Sequence, residues 1–107
     1  MIITTTNHID GKQIIEYKQV VFGEVVAGAN IFRDFIAGIT DIIGGRSGVY
    51  ENRITRGRQE ALEEMERNAA ALGANAIVGV EVNYATIDSG SKSMFMIVAS
   101  GTAVVVR

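Results

Sequence analysis

The stretch Gly44–Gly73, GGRSGVYENRITRGRQEALEEMERNAAALG, decides the architecture. From about Gly48 to Leu72 no proline interrupts it, and Ile54, Ala61, Leu62, Met65, Ala69 and Leu72 recur at helical spacing. Ser47 offers an N-cap and Gly73 a left-handed C-cap, so the spacing predicts one helix between them. At ~1.5 Å per residue that helix is about 35 Å long. A chain of this length has an expected radius of gyration near 13 Å, so the helix spans the whole domain.

Working outward, Gly44-Gly45 closes an earlier helix opened by Asn30, with Ile31, Phe32, Phe35, Ile36, Ile39, Ile42 and Ile43 as its apolar stripe. Residues 13–29 are rich in Ile, Val, Phe and Tyr and read as one or two strands. Ala76–Ile87 and Ser93–Val106 read as two more, joined by the turn Asp88-Ser89-Gly90-Ser91. Strands, helices, strands in that order give an α+β class, an antiparallel sheet with a helix-loop-helix on one face. Val20-Val21-Phe22 and Phe95-Met96-Ile97-Val98-Ala99 are apolar on both faces, whereas a sheet with one wet face alternates. Two helices cover only one side, so the second side implies a partner chain and a symmetric homo-oligomer. A sheet curled over its own second face is the alternative.

The 107 residues make a single domain, 1–107. Hydrophobic residues are 48% and charged residues 21%, an ordinary globular balance. A net charge of −2 gives no global attraction to nucleic acid or anionic membrane. With no cysteine, disulfides, zinc fingers and thiolate chemistry are excluded. The start, Met1-Ile2-Ile3-Thr4-Thr5-Thr6, shows no signal peptide. Ser100, Gly101 and Thr102 interrupt the most apolar run, which is too short to span a bilayer. The expectation is a cytoplasmic protein with no membrane partner.

The long helix carries its charges against the dipole: Arg46, Arg53, Arg56 and Arg58 at the start, then Glu60, Glu63, Glu64 and Glu66. Pairing to other subunits, or an anion held by the arginines, would favour this order. Counted back from Leu62, Met65 and Ala69, Arg58 falls on the buried stripe, where a guanidinium needs a carboxylate. Asp34, Asp41 and Glu51 are the nearest by sequence. Arg46, Tyr50, Glu51 and Arg58, with Asp34 and Asp41 as partners, therefore form the candidate anion or interface ion-pair cluster. Glu24 and Glu81 interrupt otherwise apolar strands. They point to solvent or, repeated around a ring, form a girdle that could take a divalent cation through oxygen ligands.

No catalytic constellation is visible. GGRSG lacks the lysine of a phosphate loop, and a helix rather than a strand precedes it, which removes the dinucleotide fingerprint. Gly45-Arg46-Ser47-Gly48 has the spacing of an RNA-binding KH loop, but the chain is acidic and the second helix is too long. Nucleic-acid or phosphate binding through these arginines stays as an alternative function, and a purely structural assembly role is another. His8 is the lone histidine, with no nucleophile beside it in sequence and no second imidazole for a transition metal.

The runs GANIFRDFIAGITDIIGGRSGVYE and ALGANAIVGVEVNY, together with GTAVVV at 101–106, resemble the YbjQ-like family of small bacterial proteins. The resemblance covers nearly the whole chain. It implies a dodecin-like subunit that assembles as a homopentamer, its strands building a shared barrel. It also carries the label "putative heavy-metal-binding", with no established cofactor. Soft metals want thiolate or several imidazoles, and this chain has neither; Met65, Met94 and Met96 read as core.

Overall fold

The computed structural model describes residues 1–27, 47–89 and 92–107. Their elements are β1 (Ile2–Ile3), β2 (Ile14–Ala27), α1 (Ser47–Ala71), β3 (Ala76–Ser89) and β4 (Lys92–Val106). The class is α+β, with one long helix laid on a four-stranded sheet of order β1-β3-β4-β2. β4 pairs antiparallel with both β2 and β3. β1 runs parallel to β3, so the expected antiparallel sheet is in fact mixed. The N-terminal segment extends that edge: Thr4 N–H donates to the Ile77 carbonyl, and Gly79 and Val80 donate to the carbonyls of Thr6 and Thr4. The earlier helix expected over 30–43 lies outside the described residues. The expected turn is flanked by the last ladder pair, Ser89 with Lys92.

The helix turns toward the sheet a row of residues four apart, Gly57, Ala61, Met65 and Ala69, three of them small. Four-residue spacing keeps one side of a helix aligned, and small side chains let its backbone come close. Opposite lie Val21, Ile77, Ile97, Ala99 and Ala103, and these residues form one buried cluster. The seat is Gly23 on β2. A β-carbon there would overlap the Ala61 carbonyl oxygen and lie 2.7 Å from the Met65 nitrogen. Gly73, with φ +84°, ends the helix as expected of a C-terminal glycine.

Irregularities set which side chains share a face. β2 carries register shifts between Ile14 and Glu16 and between Tyr17 and Gln19. In β3 the shift between Val78 and Glu81 falls at Gly79, whose φ is +62°. The extra residue leaves Val78 and Glu81 on the outer face while Ile77, Val80 and Val82 face the helix.

Among the described residues, the outer face has a cover at one end only. There Ala76, Val78, Val104 and Val106 form a second small core with Ile9 and Ile14. Beyond it, Tyr17, Val20, Phe22 and Val26 stand 69%, 55%, 50% and 48% exposed. The chain is correspondingly elongated, 50 × 31 × 18 Å with a radius of gyration of 16.7 Å. Its accessible surface is 6851 Å². A compact monomer of 11.5 kDa exposes about 5,800 Å², so roughly 1,000 Å² is in excess.

Candidate functional site

Ladder partners on neighbouring strands point their side chains to the same face, so the pairing maps the outer surface directly. Phe22 lies beside Ser100, and Ser100 beside Glu81. Glu24 lies beside Val98, and Val98 beside Asn83. Val26 lies beside Met96, and Met96 beside Ala85. Both sequence-predicted carboxylates therefore project from the same outer face, from strands on either side of β4. Both are exposed. With strands about 4.8 Å apart and an offset of two residues, their α-carbons are about 12 Å apart. Val98 and Ser100 lie between them.

Two carboxylates offer at most four oxygens, whereas a calcium ion takes six to eight. One chain thus supplies only part of a hard-cation site. Among the described residues no group of three His, Cys, Asp or Glu side chains comes together. With no cysteine and one histidine in the whole sequence, the donor set of a single chain does not fit a soft metal.

The arginine cluster fares differently. Arg46, Asp34 and Asp41 lie outside the described residues, as do the side chains of Tyr50 and Glu51, whose backbone forms the opening turns of α1. Arg58 is exposed, which corrects its expected place on the buried stripe. The row that meets the sheet runs through Gly57, one position earlier, because the contact is made along Gly57, Ala61, Met65 and Ala69. Ile54 and Leu62 are half-buried flanks of that contact, and Arg58 stands between them at the solvent side.

The acids late in the helix have partners that spacing did not suggest. Glu64 Oε2 accepts the Glu24 backbone N–H at 3.2 Å, and Asn68 Nδ2 donates to the Phe22 carbonyl at 2.8 Å. These are outward-pointing groups of edge strand β2, so the helix side chains cap the strand's free edge. Glu66 lies 3.8 Å from the N-terminal ammonium of Met1. Part of the reversed charge order is therefore spent within the chain.

Two grooves remain. One, of about 310 Å³, lies between β2 and α1 along Gln19, Val20, Phe22, Asn68 and Leu72, and no ionisable side chain lines it. The other, of about 370 Å³, is lined by Ile2, Thr4, Thr6, His8, Ile9 and Asp10. Its hydroxyls are occupied locally: Thr4 and Thr6 share a 2.9 Å hydrogen bond, and Thr6 Oγ1 donates to the His8 carbonyl at 2.7 Å. No nucleophile, base and orienting group converge in either.

Comparison with known proteins agrees with this picture of a conserved small fold without an assigned chemistry. A family model described as "putative heavy-metal-binding" matches residues 1–107. A UPF0145 protein of Pasteurella multocida is 74% identical over 107 residues, covering all of both chains. One from Geobacillus kaustophilus is 55% identical over 104 residues, covering 97% of this chain and 96% of that one. The crystal structure of a protein of unknown function from Pediococcus pentosaceus, of the DUF74 family, superposes with a TM-score of 0.66 at 19% identity. It covers 100% of this chain and 98% of that one. The chain belongs to the YbjQ-like family of uncharacterised UPF0145 proteins.

Proposed function

We propose that this protein works as a cytoplasmic homo-oligomer without a catalytic centre, and that any metal ion it takes is held where copies meet. The carrying observation is the outer sheet face, where Tyr17, Val20, Phe22 and Val26 stand exposed in one row along β2. A monomer rarely leaves such a row uncovered. The excess surface of roughly 1,000 Å² supports the same reading, since one side of a standard interface buries about 800 Å². The homopentamer and shared barrel implied by the family resemblance would cover the face by repetition. Glu24 and Glu81 would then recur around the axis, and copies could complete the oxygen shell that one chain leaves unfinished. The metal suited to that shell is a hard divalent cation, with calcium and magnesium the first to test.

Native mass spectrometry of the purified protein tests this reading. The expected result is an oligomer, with extra mass in whole multiples of a divalent cation after calcium or magnesium is supplied. A species at the 11.5 kDa chain mass across micromolar concentrations would overturn the assembly. An oligomer that takes up neither ion would overturn the cation site alone.

A further inference from the structure

The 370 Å³ groove lined by Ile2, Thr4, Thr6, His8, Ile9 and Asp10 is built by one chain alone. Backbone hydrogen bonds and packing hold its walls in place. Thr4 N–H donates to the Ile77 carbonyl at 3.0 Å, and the N–H groups of Gly79 and Val80 donate to the carbonyls of Thr6 and Thr4 at 2.8 and 3.1 Å. Ile9 packs on the second small core. The chain then turns, Lys12 N–H donating to the Ile9 carbonyl at 3.1 Å, with Gly11 at φ +79°. A positive φ at the third position fits a type II turn, which sets Asp10 at the corner.

Hydrogen-bond bookkeeping shows what the groove has left to offer. The Thr6 hydroxyl spends its hydrogen on the His8 carbonyl at 2.7 Å. In the 2.9 Å contact between the two hydroxyls, Thr4 is therefore the donor. Thr4 Oγ1 also accepts the Thr6 N–H at 3.2 Å. A hydroxyl has one hydrogen and two lone pairs, so both hydrogens are spent and each oxygen keeps a free lone pair. Asp10 is exposed and adds a carboxylate with no hydrogen bond or ion pair among the described residues; Lys12, two positions on, does not pair with it. The His8 imidazole is likewise unpaired there, and when neutral it brings one acceptor and one donor. Apart from that single N–H, the side chains present acceptors.

We infer that this groove binds a small primary alkylammonium ion. Such an ion brings three N–H donors and a positive charge, the complement of Thr4 Oγ1, Thr6 Oγ1 and the Asp10 carboxylate. Ile2 and Ile9 take its alkyl chain. The site is separate from the cation girdle and does not depend on the assembly. An anion is disfavoured, because the lone pairs and the carboxylate repel it. A metal ion is a poorer match than an amine. Of the lining residues only His8 and Asp10 are strong ligands, whereas at least three are normally needed. The volume falls within the range of about 300–1,000 Å³ typical of small-molecule pockets.

Titration of the isotope-labelled full chain with n-butylamine, followed by amide NMR, tests the site. Saturable shifts should centre on Thr4, Thr6, His8 and Asp10, with a millimolar dissociation constant, as suits so small a ligand. Butan-1-ol, which lacks the charge, and n-butyltrimethylammonium, which keeps the charge but has no N–H, should each bind at least about fivefold more weakly. Asp10→Asn leaves a turn-compatible residue at an exposed corner and should weaken n-butylamine binding by at least about fivefold, the upper contribution of an exposed ion pair. Absent shifts, or shifts spread over the whole chain, would overturn the site. So would equal affinity of Asp10→Asn, since the carboxylate would then play no part. Equal binding of n-butyltrimethylammonium would overturn the match of donors to acceptors. Calcium chloride moving these amides while the amine does not would overturn the ligand class.

Discussion

Replacing Gly23 with alanine tests the seat of the helix. The added methyl would overlap the Ala61 carbonyl oxygen and press on the Met65 nitrogen, both of them backbone atoms held in the helix. No rotamer can relieve this, so α1 must lift from β2, loosening its contacts with Val21, Ile97 and Ala99. Overpacking typically costs 1–3 kcal/mol. A clash with backbone on both counts places this variant at the upper end, about 3 kcal/mol. With an unfolding entropy of about 2.1 cal/mol/K per residue over 107 residues, the midpoint should fall by about 13 °C. Gly57→Ala is the internal control. Its methyl meets only the Ile97 Cδ1 atom at 2.7 Å, the far end of a flexible side chain. Alanine also improves helix propensity by about 1 kcal/mol, so this variant should stay within about 1 kcal/mol of wild type. Both are read by thermal denaturation at one fixed protein concentration, because any assembly would couple to stability. A Gly23→Ala protein as stable as wild type would refute the close seating of the helix on β2.

Three further substitutions probe other joints. Gly73→Ala forces a left-handed backbone, φ +84°, on a residue with a β-carbon and should cost about 1–2 kcal/mol in the same denaturation assay. Asn75→Ala removes a double bridge, Nδ2–H to the Val106 carbonyl at 2.9 Å and the Val106 N–H to Oδ1 at 2.8 Å. It should cost about 1–3 kcal/mol and speed exchange of the Val106 amide, with no change in exchange counting against the bridge. Asn68→Ala uncaps the Phe22 carbonyl and should cost about 1 kcal/mol, while raising concentration-dependent aggregation by light scattering.

The long helix was legible because nothing in Gly48–Leu72 competes with its period, and its bounds fell within a residue of Ser47–Ala71. The three long strands were legible for the same reason, their β-branched runs being bounded by turn residues. β1 was not, since two residues carry no periodicity and its pairing is decided by the open flank of Ala76–Ile77. Arg58 was misplaced because hydrophobicity marks Leu62 as the centre of the contact, whereas close packing selects Gly57 and Ala61. The Glu64 and Asn68 caps were missed because their partners are backbone atoms about forty residues away, and no side-chain pattern signals them. Glu64 and Asn68 each follow by three residues a helix position, Ala61 or Met65, whose backbone meets Gly23, and that spacing was the available hint.

Glu24 ties the proposed cation site to the proposed assembly. It is the one charged side chain in the outward β2 row of Tyr17, Val20, Phe22, Glu24 and Val26. In one chain it is exposed and costs nothing. Covering that row with other copies strips water from a carboxylate set among apolar residues, and an uncompensated buried charge costs several kcal/mol. In the proposed assembly a divalent cation shared between copies would offset this, and the exposed Glu81 on the same face would supply further oxygens. Glu24→Gln removes the charge while keeping the shape. The variant should then assemble equally well with and without chelator, whereas wild type should lose assembly when divalent cations are removed. If wild type ignores the chelator and Glu24→Gln weakens assembly by about 3–5 kcal/mol, the carboxylate is paired with a basic group of another copy, and the cation girdle is wrong.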